Sequence, residues 1–206
     1  MQAFESLMSG AETLSETNGE TREFVGPTEV CGFENCELMS NEQLGNYLSE
    51  TIPPSHLEGC PSIEFDPQNY EFMNDPQTLG FYECGSHAIH IADETRFTEG
   101  AEEIIETVIH EVGHNAYAEI IETNPILEAQ WEGLNAGSYL QFLVDGTGFV
   151  SDYARTNQYE DFAESYMTYI GDPEKLQMLS PDKYEFMYDH VFAGREYAPA
   201  ILADWV

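Results

Sequence analysis

The segment Val108-Ile109-His110-Glu111-Val112-Gly113-His114 places two imidazoles four residues apart with a carboxylate between them. On a helix of about 3.6 residues per turn, positions 110 and 114 stack on one face and can present ring nitrogens to a single metal ion. Glu111 lies about 100° around from His110, beside such an ion rather than on it. A carboxylate there can take a proton from water that a zinc ion acidifies to a pKa of about 7. These residues therefore specify two ligands and a general base for metal-assisted hydrolysis.

Two imidazoles leave a tetrahedral site incomplete, so a third ligand must come from elsewhere, with a fourth position open to water. The run Ser151-Asp152-Tyr153-Ala154-Arg155-Thr156-Asn157-Gln158-Tyr159-Glu160-Asp161-Phe162-Ala163-Glu164 offers two carboxylates, Glu160 and Glu164, four residues apart. On a helix they share a face. One can ligate the ion while the other accepts the outer N–H of a ligand histidine and fixes its tautomer. Spacing alone leaves open which does which.

Both segments read as helices. Ile104, Ile105, Val108, Ile109, Val112 and Ala116 recur at three- and four-residue intervals, so the stretch from about Glu99 to Glu122 has one buried face. Glu99, Glu102 and Glu103 crowd its start, where the helix dipole favours negative charge, and Asn124-Pro125 ends it. Phe162, Tyr166, Met167 and Ile170 are the apolar positions that would seat the second helix on the core. Ahead of the motif, Leu79 to Glu83 and His87 to Ala92 flank Cys84-Gly85-Ser86 and read as a hairpin. Its edge could accept an extended peptide as an added strand. His87 and His90 are three apart, on opposite faces of a strand, and read as structural or solvated histidines rather than ligands. Further helices are expected from Ile126 to about Leu143 and near 158–170, 173–179 and 182–193, with a turn from Gly146 to Ser151. The fold class that results is α+β.

The zinc-type motif taken with Asp152 to Glu164 resembles the catalytic domain of the anthrax lethal factor family, among the Glu-ligand zincin metallopeptidases. That family has a similar Tyr-Gly-Arg-Thr-Asn stretch leading into a helix with Phe-Ala-Glu. The resemblance covers roughly the C-terminal 130 residues and implies a zincin-like domain holding Zn²⁺. It implies Glu160 as third ligand, Glu164 as the carboxylate behind a ligand histidine, and Tyr153 as a hydroxyl donor to the oxyanion. From the residues alone, Tyr153 could equally pack its ring on the helix. Ala154 replaces the family's glycine, Asp161 replaces an aromatic, and the long substrate-binding domains of the toxin have no counterpart. Specificity for the toxin's targets is therefore not carried over. The implied activity is zinc-dependent hydrolysis of peptide bonds. Other expectations from the same residues are a structural or interaction protein keeping the fold, for example a virion component, and a zinc amidase.

Composition speaks to solvent. The chain has 39 acidic and 6 basic residues among 206, a formal charge of -33, with Lys175 and Lys183 as its lysines. Such a surface repels itself unless salt screens it, and the Debye length falls from about 10 Å at 0.1 M to about 3 Å at 1 M. Acidic excess with few lysines suggests a halophilic source. The same charge argues against phosphate contacts with nucleic acid. No apolar run approaches the roughly 18 residues of a membrane span, and no basic-then-apolar leader is apparent.

Residues 1–62 are expected to form an acidic arm and a cysteine-containing extension, the arm being a place for protein assembly, and residues 63–206 the zincin-like domain. The turn formers at Pro53-Pro54, Cys60-Pro61, Asp66-Pro67 and Asp75-Pro76 separate the two. Cys31, Cys36, Cys60 and Cys84 could make two disulfides, remain free thiols or hold a second metal.

Overall fold

Strands here are three or four residues long, and the alternation of apolar with polar side chains decides which face each one buries. The computed structural model describes residues 22–196; the expected arm over the first 20 residues lies outside them. Five strands, β1 (Glu23–Val25), β2 (Thr28–Cys31), β3 (Ser62–Phe65), β4 (Gly80–Tyr82) and β5 (Ile89–Ile91), form one mixed sheet in the order β1-β2-β3-β5-β4. The two outer pairs are antiparallel, and β3 runs parallel to both of its neighbours. Ile63, Phe65, Ile89 and Ile91 are buried on one face, while Glu64 and His90 alternate onto the other.

Seven α-helices follow among the described residues: α1 (Asn41–Thr51), α2 (Tyr70–Asn74), α3 (Ala101–Ala116), α4 (Pro125–Asp145), α5 (Gln158–Gly171), α6 (Pro173–Leu179) and α7 (Pro181–Phe186). The fold is α+β and mostly helical. Helix α1 starts at a reciprocal cap, in which the Ser40 hydroxyl accepts from the Gln43 N–H and the Gln43 side chain accepts from the Ser40 N–H. Its Leu44, Tyr47 and Leu48 then pack beside β1 and β2. The sheet runs across the expected boundary near residue 62. Val25, Val30, Leu44 and Leu48 belong to the same hydrophobic core as Ile89, Val108 and Tyr166.

Helix α3 buries Ile104, Ile105, Val108, Ile109 and Val112, the stripe expected from periodicity. It lies between the sheet and α5. Two glycines set those separations. A Cβ on Gly80 of β4 would stand 2.7 Å from Thr107 Cγ2 and 3.3 Å from Glu111 Cγ, so only a glycine lets β4 lie this low on α3. A Cβ on Gly113 would meet Ala163 Cα at 3.0 Å, which marks the crossing point of α3 and α5. After Ala116 the helix closes with a π-helical turn, Tyr117–Ile121. Asn124 then caps α4, whose Pro125 occupies the first turn, where no N–H partner is needed.

The hairpin is shorter than expected. His87 sits in the β4–β5 connection with φ of 63°, outside the strand, and its Nδ1 bonds to the Tyr82 hydroxyl at 2.6 Å. All four cysteines are free thiols, one of the three alternatives that their spacing left open. They stand on β2, in the turn after it, ahead of β3 and in the hairpin loop, and no two are bonded. Burial pushes the Cys60 thiol up to about 12, so it stays protonated and inert. Among the described residues, no helix is long and apolar enough to cross a membrane.

Candidate metal centre

Three side chains from two helices converge where α3 crosses α5. His110 and His114 come from successive turns of α3, with Nε2 atoms 3.2 Å apart. Glu160 arrives in the first turn of α5, its Oε2 at 3.1 Å from His110 Nε2 and 3.3 Å from His114 Nε2. Ligand atoms about 2.0–2.1 Å from a tetrahedral zinc lie about 3.3–3.4 Å from one another, by simple geometry on the known bond lengths. The observed triangle therefore has the size of one face of such a coordination shell. Its donor set, two imidazoles and a carboxylate, also suits zinc.

Helix capping fixes the third member. Asn157 Oδ1 accepts from the N–H groups of Tyr159 and Glu160 at 2.9 and 3.0 Å, which starts α5 at the register that turns Glu160 inward. The positive end of the helix dipole favours its charge there. One turn later, Glu164 Oε1 accepts from His110 Nδ1 at 2.9 Å, which turns the His110 Nε2 toward the shared point. Glu164 is held in turn by the Ser151 hydroxyl at 2.6 Å, and that hydroxyl accepts from the Ala154 N–H at 3.0 Å. The alternatives that sequence spacing left open are thus separated in space: Glu160 faces both Nε2 atoms, and Glu164 faces Nδ1. Ser151 was missed in the sequence, because nothing in its neighbours marks it out from any other turn serine.

Charges in the cluster are strongly coupled. Burial opposes the His110 imidazolium, but hydrogen bonds to Glu160 and Glu164 overcome it and hold its pKa up to about 10. Burial likewise opposes the Glu160 carboxylate, and bonds from His110 and His114 win, drawing it down to about 2. Proton and metal compete for the same nitrogen, so any metal entering here must release a proton. Glu111 is the contrasting case. Its residue is buried, only 6% exposed, and burial raises its pKa above the ordinary carboxylate value. That environment favours proton uptake, as a general base requires.

Tyr153 stands in a 3-10 turn just before α5, with its ring centroid 5.8 Å from that of His110. The side chain is at the cleft mouth, and burial followed by the charge of Glu160 keeps the phenol protonated up to about 12. Alongside lies a cavity of about 540 Å³, walled by Tyr82, Tyr117 and Tyr159 and reaching His114 and Glu160. Strand β4 forms the outer edge of the sheet above it.

No known family model matches this chain, and no curated protein sequence matches it.

Proposed function

We propose that this chain is a zinc-dependent metallopeptidase of the zincin type, with His110 Nε2, His114 Nε2 and Glu160 Oε2 as its metal ligands. The observation that carries the reading is the convergence of those three atoms within 3.1–3.3 Å, backed by a second carboxylate on the outer nitrogen of His110. When bound, the zinc ion supplies Lewis acidity that polarises a carbonyl and acidifies water. The protein's own groups do the rest. Glu164 and Ser151 fix the orientation of the His110 ring, so that its Nε2 faces the site and gives up its proton when a metal enters. Glu111, desolvated beneath β4, takes the proton from the attacking water and delivers it to the leaving amine. The Tyr153 hydroxyl donates to the oxygen on which negative charge develops. A peptide laid along the free edge of β4 would run past all three groups and place its side chains against the tyrosine-walled cavity.

The test is peptide-library cleavage by the full chain in molar KCl, with and without a chelator. Glu111→Gln is expected to lower cleavage by about 10²–10⁴-fold while zinc stoichiometry is unchanged. Undiminished cleavage by that variant would refute the mechanism, and undiminished cleavage after complete zinc removal would refute the metal's part in it.

A further inference from the structure

Glu64, Asp66 and His90 meet on the sheet face that turns away from α3. Residues 64 and 66 are two apart, so they leave β3 on the same side, and the parallel register pairs Glu64 directly with His90 of β5. One donor atom from each lies within 4.8 Å of the other two. His90 Nδ1 is 3.5 Å from Asp66 Oδ2 and 3.8 Å from Glu64 Oε2. Both distances are too long for a hydrogen bond. Yet Nδ1 is buried and makes no hydrogen bond, on a side chain only 11% exposed. An orphaned buried polar atom costs about 1–3 kcal/mol, so its placement calls for a partner.

The ring cannot swing away to find one. It is stacked on Phe81 at 4.8 Å with planes 20° apart, and Phe81 is itself braced edge-on by Phe72 at 5.2 Å. The carboxylates are also steered. Asn69 Nδ2 donates to Asp66 Oδ2 at 2.9 Å, and Ser62 donates to Glu64 Oε1 at 2.5 Å, which leaves Oε2 unengaged. The result is a gap, bordered by one imidazole nitrogen and two carboxylate oxygens, that is too wide for direct bonding. Metal bonds of about 2.0–2.2 Å would span the two His90 separations after a closure of a few tenths of an ångström. Both carboxylate side chains are 36% exposed, so water can complete the shell and an ion can enter. The imidazole favours a first-row transition ion over calcium, which takes oxygen ligands.

We propose that Glu64 Oε2, Asp66 Oδ2 and His90 Nδ1 form a second divalent-cation site, structural in role, which pins β3 to β5 on the face opposite Glu111. The β4–β5 hairpin holds Gly80 and Tyr82 over α3, so an ion at this point stiffens the roof of the cleft from behind. The site does not depend on the proposed peptidase activity.

The experiment uses the full chain, stripped with chelator and dialysed against ZnCl₂ in molar KCl at pH 7, with bound zinc counted by mass spectrometry and Tm followed in parallel. Wild type is expected to hold two equivalents. His90→Ala and the milder Asp66→Asn are each expected to retain one and to show a smaller zinc-induced rise in Tm. His110→Ala/His114→Ala is expected to keep one equivalent as well. Identical zinc content in wild type, His90→Ala and Asp66→Asn would overturn the proposal, leaving His90 as a protonated partner of two acids. Loss of all zinc from a folded His110→Ala/His114→Ala protein would overturn it too. Zinc content unaffected by that double substitution would instead count against the peptidase centre alone, so the two failures are distinguishable.

Discussion

Replacing Gly113 with alanine tests whether the α3–α5 crossing, and nothing more remote, brings Glu160 to the histidines. The added Cβ would stand 3.0 Å from Ala163 Cα, 3.3 Å from Tyr166 Cβ and 3.4 Å from Ala163 Cβ. Carbon atoms rest about 3.5–4.0 Å apart, so the helices must separate by roughly 0.5 Å at their point of closest approach. All three contacts are Cα or Cβ atoms that no rotamer change can move. Overpacking of this kind costs about 1–3 kcal/mol, offset by the gain of about 1 kcal/mol for alanine over glycine in a helix, so a net loss of about 0–2 kcal/mol is expected. The effect on the site should be larger than that on the fold. Metal–ligand distances tolerate only about 0.2 Å, and a shift of this size at Glu160 should weaken zinc binding by about 10- to 100-fold. Competition against a chromogenic chelator in molar KCl measures it. Gly133→Ala is the control, because Gly133 is exposed on α4 with nothing within 4 Å of a new Cβ. It should gain stability and leave zinc binding alone. If Gly113→Ala behaves like Gly133→Ala on both counts, the close approach is not what assembles the site.

Stability should also depend on pH through His56, which is buried between a Tyr166 hydroxyl at 2.8 Å and the Val191 carbonyl at 2.9 Å. The carbonyl fixes Nε2 as the donor and Nδ1 as acceptor, so the neutral ring satisfies both bonds, and burial lowers its pKa from 6.5 to about 4. The folded chain then binds fewer protons than the unfolded chain between those values. The resulting stability is fully present above about pH 6.5 and falls by up to about 3 kcal/mol as pH drops toward 4. Denaturant titrations in molar salt should show that slope in wild type and lose it in His56→Gln; equal slopes would refute the assignment. Lys183 is 1% exposed and bonds to the wholly buried Asp161 at 2.6 Å and to the Gly148 carbonyl at 2.7 Å. Lys183→Met should therefore cost about 3–5 kcal/mol by stranding Asp161, and adding Asp161→Asn should restore part of it, as thermal melts of both variants will report. A net charge of -33 predicts that Tm rises steeply as KCl increases from about 0.1 to 1 M, where the Debye length shrinks to about 3 Å. A Tm independent of salt over that range would contradict the role given to self-repulsion.

Much of the local structure was legible from residue order, because helices advertise themselves within a few turns. The stripe from Ile104 to Ala116 placed α3, the helix expected from Ile126 to about Leu143 is α4, and Asp172-Pro173 with Ser180-Pro181 fits the short helices α6 and α7. The Ser40 cap with Gln43, and Leu44, Tyr47 and Leu48 behind it, carried a comparable signal for α1 that went unread. Strands β1 to β3 gave no such signal. Three or four residues hold at most two alternations, and their pairing is set by partners up to 33 positions away, as for Glu29 with Ser62 or Cys31 with Glu64.

Sequence by itself determined the chemistry available to this protein: two imidazoles on one helical face, an acid between them, and two further acids sharing a face on another helix. These follow from a periodicity that each segment carries within itself. Only the tertiary structure decided that Glu160 rather than Glu164 reaches both Nε2 atoms, because that choice depends on the contact between Gly113 and Ala163, 50 residues apart. Folding likewise turned His90, unremarkable in its own strand, into the third member of a cluster with Glu64 and Asp66, since strand register is a property of the pair.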